Sequence, residues 1–181
     1  MLVTGGSQGA LPVNRAFVDA LDLLATRKND LHIVHQTGER DYKAVRTAYA
    51  RREYPAEVVP FLPNMPERFA WADFIVCRAG AITAAEVAAA GRAAIFIPFG
   101  RATDSHQLRN AQEMASAGAG RLIPEPELTA ERLAREIFSL LDHPREIETL
   151  SANARGLAHP AAAREIVNLI EQAAWLKKES A

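Results

Sequence analysis

Four segments of the chain combine residue types and spacing that suit ligand chemistry. Gly5-Gly6-Ser7-Gln8-Gly9-Ala10 lies between an apolar run and a helical pattern. Glycines there admit a ligand close to the main chain, and a helix amino end attracts a phosphate or diphosphate. A tight turn with no ligand would read the same way. Arg78-Ala79-Gly80-Ala81-Ile82-Thr83-Ala84-Ala85-Glu86 repeats the arrangement with small residues. Its carboxylate suits a pair of ribose hydroxyls. Thr83 and Glu86 also have the spacing of a capping box, in which the glutamate would bind only its own helix.

Pro98-Phe99-Gly100-Arg101-Ala102-Thr103-Asp104-Ser105-His106-Gln107, running into Asn110-Ala111, is a long polar loop. Asp104 or Ser105 is a candidate helix cap there, and Gln107 can both donate to and accept from sugar hydroxyls. Phe61-Leu62-Pro63-Asn64-Met65 is a prolyl turn that could wall a planar base through its backbone, or be a turn and nothing more.

The signals of several other chemistries are missing. No Gly-Lys-Ser/Thr follows the first glycine loop, so it is not a P-loop. The glycine spacing is wrong for a dinucleotide fingerprint. The second apolar run ends in His35-Gln36, where a nicotinamide enzyme would carry an acidic residue. There is no Asp-x-Asp, no cysteine–histidine cluster for zinc and no Gly-x-Ser-x-Gly elbow. His32, His35, His143 and His159 are scattered and read as structural or surface residues.

The elements that must position these loops follow from periodicity. Short apolar runs alternate with amphipathic stretches, which predicts βαβ units and a Rossmann-like parallel sheet flanked by helices, an α/β fold. Strands are expected at Leu2–Thr4, Leu31–His35, Val58–Phe61, Phe74–Cys77, Ala94–Ile97 and Leu122-Ile123. Helices are expected at Pro12–Ala25, Tyr42–Arg51, Pro66–Ala72, Thr83–Ala90 (stopped by Gly91) and His106–Ala117. From Thr129 the chain reads as helical, with breaks at Pro144 and His159-Pro160 and a last helix over Ala161–Lys177. Without an internal repeat or a low-complexity linker, all 181 residues read as a single domain. In such a sheet ligands bind beyond the carboxyl ends of the strands, where all four segments fall.

A formal net charge of -1 excludes bulk electrostatic attraction to nucleic acid. The single cysteine, Cys77, excludes a disulfide framework within the chain and fits a reducing cytosol. No stretch reads as a membrane span or signal segment. The chain opens directly in a strand, Met1-Leu2-Val3-Thr4, which leads us to expect a fragment or one subunit of a split enzyme.

Taken in order, the segments resemble the carboxy-terminal lobe of the MurG family of peptidoglycan N-acetylglucosaminyltransferases. The matching pieces are Gly5–Ala10, His35-Gln36-Thr37-Gly38, Ala70-Trp71-Ala72-Asp73, Cys77–Glu86, Ile97-Pro98-Phe99 and Asp104–Gln107 with Asn110-Ala111. The resemblance covers Met1 to about Ala119, and the helical tail matches only in kind.

It implies the carboxy-terminal lobe of a GT-B glycosyltransferase. That enzyme moves N-acetylglucosamine from UDP-GlcNAc to lipid I, giving lipid II with inversion, at the cytoplasmic face of the bacterial inner membrane as a peripheral protein. By the same analogy Gly6, Ser7, Gln8 and Gly9 face the diphosphate, and Leu62 sits by the uracil. Arg78, Gly80, Ala81, Ile82 and Thr83 lie along the nucleotide, and Glu86 holds the ribose. His106 and Gln107 reach the donor sugar, although His106 stands where some members have a second glutamine.

No metal or other cofactor is expected, since helix amino ends and backbone amides can steady the UDP leaving group. The family's amino-terminal lobe, with the acceptor site and the general base, is expected to be absent, leaving the chain alone inactive. Two alternatives stand beside this reading. One is the donor subunit of another split GT-B enzyme. The other is a nucleotide-sugar-binding module with no transfer role.

Overall fold

The computed structural model describes residues 1–100 and 105–179, with side chains described for 1–100 and 106–172. Six parallel strands form one sheet in the order β3-β2-β1-β4-β5-β6. They are β1 Leu2–Thr4, β2 Ile33–Gln36, β3 Ala56–Val59, β4 Phe74–Cys77, β5 Ala93–Phe96 and β6 Arg121–Leu122. The helices are α1 Leu11–Leu23, α2 Tyr42–Arg51, α3 Met65–Trp71, α4 Ala81–Ala90, α5 Ser105–Ser116, α6 Ala130–Asp142, α7 Pro144–Gly156 and α8 Ala162–Glu179.

The strand sequences explain the layering. Residues of β1, β2, β4 and β5 are buried on both sides, as a parallel sheet covered by helices requires. Successive residues alternate between two cores. Val3, Ile33, Val76 and Ile95 meet α1, α2 and α6 through Val13, Phe17, Val45, Leu133 and Ile137. Leu2, Val34, Ile75, Cys77 and Phe96 meet the opposite layer through Phe69, Val87, Ala111 and Ala154. The Cys77 thiol lies fully inside that second core, and burial pushes its pKa up.

Boundaries depart from expectation where tertiary contacts outweigh local pattern. After α1 the chain makes a 3-10 segment, Leu24–Asp30, kinked at Arg27, so β2 begins at Ile33 and not at Leu31. Arg27 bonds both Asp30 and Asp142 there, tying the kink to the end of α6. β3 stops at Val59 because Pro60 has no N–H for the ladder, and Phe61 turns out toward solvent. Gly91 does end α4, in a left-handed conformation at φ +58°. The Thr129 side chain accepts from the Arg132 N–H and so caps α6.

The order of the strands places the loops. Strands β2 and β3 lie to one side of β1, and β4, β5 and β6 to the other, so the direction of progression reverses between β1 and β4. That reversal opens a crevice at the carboxyl ends of two adjacent strands.

Candidate functional site

The loop after β1 is a turn gripped by its own main chain. The Gly9 N–H donates to the Gly6 carbonyl at 2.9 Å, which leaves Ser7 and Gln8 exposed at the tip. Gly6 has φ +82° with open space where a Cβ would point. Gly9 has φ +71°, and a Cβ there would meet the Thr37 carbonyl oxygen at 2.0 Å. Gly38 crosses at the same place, against the Gln8 carbonyl. Two backbones therefore pass in contact, and only glycine allows it.

Helix α1 starts at this turn with Ala10 as its cap and makes no side-chain capping bond. Its first turn contains no acidic residue. On the adjacent strand, α4 starts the same way with Gly80 as its cap, again with no side-chain bond and no acidic first turn. Two helix amino ends without a side-chain cap among the described residues, α1 with Pro12 in its first turn, thus stand side by side at the crevice, on strands about 4.8 Å apart. Their partial positive charges add, which suits a ligand with more than one anionic group. Ala81 and Ile82 are exposed on the first turn of α4.

The expected capping box does not form. Thr83 lies inside the first turn of a helix that begins at Ala81, so it cannot be the cap. Glu86 is consequently free of its own helix end. Its carboxyl is half-buried near Cys77, and burial raises its pKa. A partly desolvated acceptor-only group gains more from donors brought by a ligand than one fully in water.

Arg78, expected along the nucleotide, is held by protein partners. Its guanidinium is buried, donates to the Ile97 and Pro98 carbonyls at 3.1 and 3.2 Å, and pairs with Glu125 at 2.5 Å. It also lies over the Phe99 ring, 5.5 Å from the centroid. These contacts moor the loop after β5, and the side chain is committed to that task.

Helix α5 is stitched to the same two loops. The Asn110 side-chain amide donates to the Ala79 carbonyl at 3.0 Å, and Gln107 Oε1 accepts from the Phe99 N–H at 3.1 Å. Among the described residues the Gln107 amide donors have no partner, while His106 is exposed beside it. Of the two cap candidates, Asp104 lies outside the described residues, and Ser105 is the first residue of α5, with its side chain outside the description.

Leu62 is brought in from the other side. Its side chain belongs to the second core, and its N–H donates to Gln36 Oε1 at 2.8 Å. Only its carbonyl and its neighbours Phe61 and Pro63 remain to face a ligand. The roles of Gln36 and Asn14 are not legible in the sequence alone. Asn14 sits under the turn, donating to the Thr37 carbonyl and to Asp41 Oδ2, both at 2.9 Å, and bonding His35 Nε2 at 3.1 Å. Tyr49 closes the network on His35 Nδ1. A polar residue in the middle of the amphipathic α1 pattern was the available signal.

A cavity of about 440 Å³ lies elsewhere, at the amino-terminal edge of the sheet, lined by Leu31, His32, Ala56 and Trp71. It is apart from the strand ends where these loops converge. No helix among the described residues is long and apolar enough to cross a membrane.

With this geometry in view, the chain can be compared with known proteins. The glycosyltransferase family 28 C-terminal domain matches residues 1–172. A Geotalea daltonii UDP-N-acetylglucosamine–N-acetylmuramyl-(pentapeptide) pyrophosphoryl-undecaprenol N-acetylglucosamine transferase is 48% identical over 93% of this chain and 46% of that protein. The Myxococcus xanthus protein of the same name is 44% identical over 93% of this chain and 44% of its own. The crystal structure of Acinetobacter baumannii MurG superposes with a TM-score of 0.84 at 35% identity, covering 94% of this chain and 49% of that one.

The chain spans about half the length of these relatives. Its fold is that of the carboxy-terminal lobe of a GT-B glycosyltransferase. From the crevice loops to the helical tail, it belongs to the glycosyltransferase family 28 C-terminal domain family.

Proposed function

We propose that this chain is the donor-binding lobe of an inverting N-acetylglucosaminyltransferase, which uses UDP-GlcNAc to convert lipid I to lipid II in peptidoglycan synthesis. The observation that carries the reading is the pair of uncapped helix amino ends on β1 and β4, with the Glu86 carboxylate beside them. The diphosphate lies over the Gly6–Gly9 turn and the start of α4, near Ser7, Gln8, Gly80, Ala81, Ile82 and Thr83. Glu86 accepts from the ribose hydroxyls, and the loop after β3 covers the base. Gln107, with His106 beside it, reaches the sugar. Relatives at 44–48% identity that carry this activity in their names support the choice of donor and acceptor.

Transfer requires more than this lobe. A hydroxyl acceptor must be held in line and relieved of its proton, which takes a positioned base. A second, amino-terminal lobe supplies the acceptor site and that base, and it brings the enzyme as a peripheral protein to the cytoplasmic membrane face, where the lipid acceptor is. The departing UDP is steadied by backbone N–H groups and helix ends already aimed at it.

Calorimetric titration with UDP-GlcNAc, UDP-glucose and NADH, without added metal, tests the donor reading. Saturable binding that prefers UDP-GlcNAc is expected. A folded chain that binds NADH in preference, or binds none of the three even with an amino-terminal lobe added, would overturn it.

A further inference from the structure

We infer that Gln36 is a positioning residue that fixes the spacing between the two halves of a nucleoside diphosphate site. One half is the Gly6–Gly9 turn, and the other is the loop after β3. The inference rests on the donor reading above and adds to it a residue at the end of a strand that itself touches no ligand.

Gln36 is the last residue of β2, and its side chain is almost completely buried. Its amide group faces three partners. Nε2 donates to the Gly6 carbonyl at 2.9 Å and to Thr4 Oγ1 at 3.2 Å, while Oε1 accepts from the Leu62 N–H at 2.8 Å. Both donors and one acceptor lone pair are therefore used. Thr4 Oγ1 in turn accepts from the Gly6 N–H at 3.1 Å, so Gly6 is held at both its N–H and its carbonyl.

Two of these partners, Gly6 and Leu62, are far apart in sequence and belong to two different ligand loops. Besides Thr4, its partner across the β1–β2 ladder, the amide reaches two loops. It spans from β1 past its own strand to the loop after β3, because β2 lies between them in the sheet. In a nicotinamide-binding sheet the same strand end carries a carboxylate aimed outward at a ribose. Here the side chain turns inward, and the distance it sets is between loops.

The chemistry follows from that placement. A nucleoside diphosphate joins a base and an anionic group through a short tether, so the second contact is effectively intramolecular once the first is made. That advantage exists only if the two subsites are held at the tether's spacing before binding. Gln36 holds them with three hydrogen bonds from one rigid amide.

The test compares the wild type with Gln36→Leu and Gln36→Glu, titrated with UDP-GlcNAc and, separately, with uridine and with pyrophosphate. Thermal unfolding of each variant reports that it is folded. Gln36→Leu is expected to lose about tenfold or more in UDP-GlcNAc affinity, while uridine and pyrophosphate each change by less than about threefold. A loss shared equally by all three ligands would mean general loosening and would overturn the inference. So would a folded Gln36→Leu that binds UDP-GlcNAc as the wild type does.

Gln36→Glu keeps the acceptor for Leu62 but sets a carboxylate against the Gly6 carbonyl. Its affinity should fall at neutral pH and recover, relative to the wild type, as acid restores a donor. Absence of that recovery counts against Gln36 even if Gln36→Leu is too unstable to study. A wild type that binds none of the uridine ligands would instead remove the donor reading itself.

Discussion

Glu86 shows how one residue boundary changes a chemical reading. Thr83-x-x-Glu86 has the right letters for a capping box, but the helix begins two residues before Thr83, at Ala81. The carboxyl is then half-buried, with its pKa raised by burial and no helix end to serve. Replacing it tests the ribose assignment. Glu86→Ala should weaken UDP-GlcNAc binding by at least about 1.5 kcal/mol, the usual worth of a hydrogen bond to a charged group. Isothermal titration of the folded variant measures this, and an unchanged affinity would remove Glu86 from the site.

Residue letters alone identified the glycine turn, Gly80–Glu86 and Gln107 as candidates, because small and polar residues at strand ends are a local signal. They could not show that Arg78 is occupied, since its partners Ile97, Pro98 and Glu125 lie far along the chain. Gln36 was hidden for the same reason.

At the level of elements, β1, β4 and α2 have the bounds their apolar pattern predicts, whereas the start of β2 and the end of β3 do not. Periodicity marks which residues are buried; it does not see the Arg27 ion pairs that hold the 3-10 kink or the main-chain bond between Gly38 and Pro60. The crossing of the β1 and β2 loops yields a graded prediction. Gly9→Ala brings a Cβ onto the Thr37 carbonyl at a positive φ, whereas Gly6→Ala meets nothing within 4 Å. Gly6→Ala should cost about 1–2 kcal/mol from backbone strain alone, and Gly9→Ala clearly more. Urea midpoints of the two variants rank them, and equal values would mean that the crossing yields easily.

The network joining α1, β2 and α2 adds a pH dependence. Burial lowers the His35 pKa to about 3, from an ordinary value near 6.5. The unfolded chain therefore binds a proton at His35 between those values while the native chain does not. Stability from this group is complete above about pH 6.5 and falls as pH drops toward 3, with a slope of about 1.4 kcal/mol per unit. Denaturant titrations at pH 7, 6 and 5 should show stability falling, by about half that slope from pH 7 to 6 and close to all of it from pH 6 to 5, and His35→Gln should flatten it. A slope that survives the substitution would assign it to other groups.

For the molecule as a whole, the strand order puts the crevice between β1 and β4 and faces every candidate loop toward one side of the sheet. A lobe that presents a donor on one open side needs a second surface to bring the acceptor. We expect this chain alone to show no transfer from UDP-GlcNAc to lipid I, and transfer to appear when an amino-terminal lobe from a relative is added. Radiolabelled product formation would report it. Appreciable transfer by the chain alone would place a base within this lobe.

The depth of Cys77 gives the protein a built-in reporter. It is the one cysteine in the sequence, its thiol is sealed in the second core, and burial disfavours the reactive thiolate. Thiol reagents can reach it only when β4 parts from its helical cover. The rate of its labelling is therefore a clock for opening of the central sheet, read without any engineered probe. Slower labelling with donor present would measure how firmly the ligand clasps the strands beneath it. A cysteine placed anywhere on the surface would, by the same logic, take a dye alone.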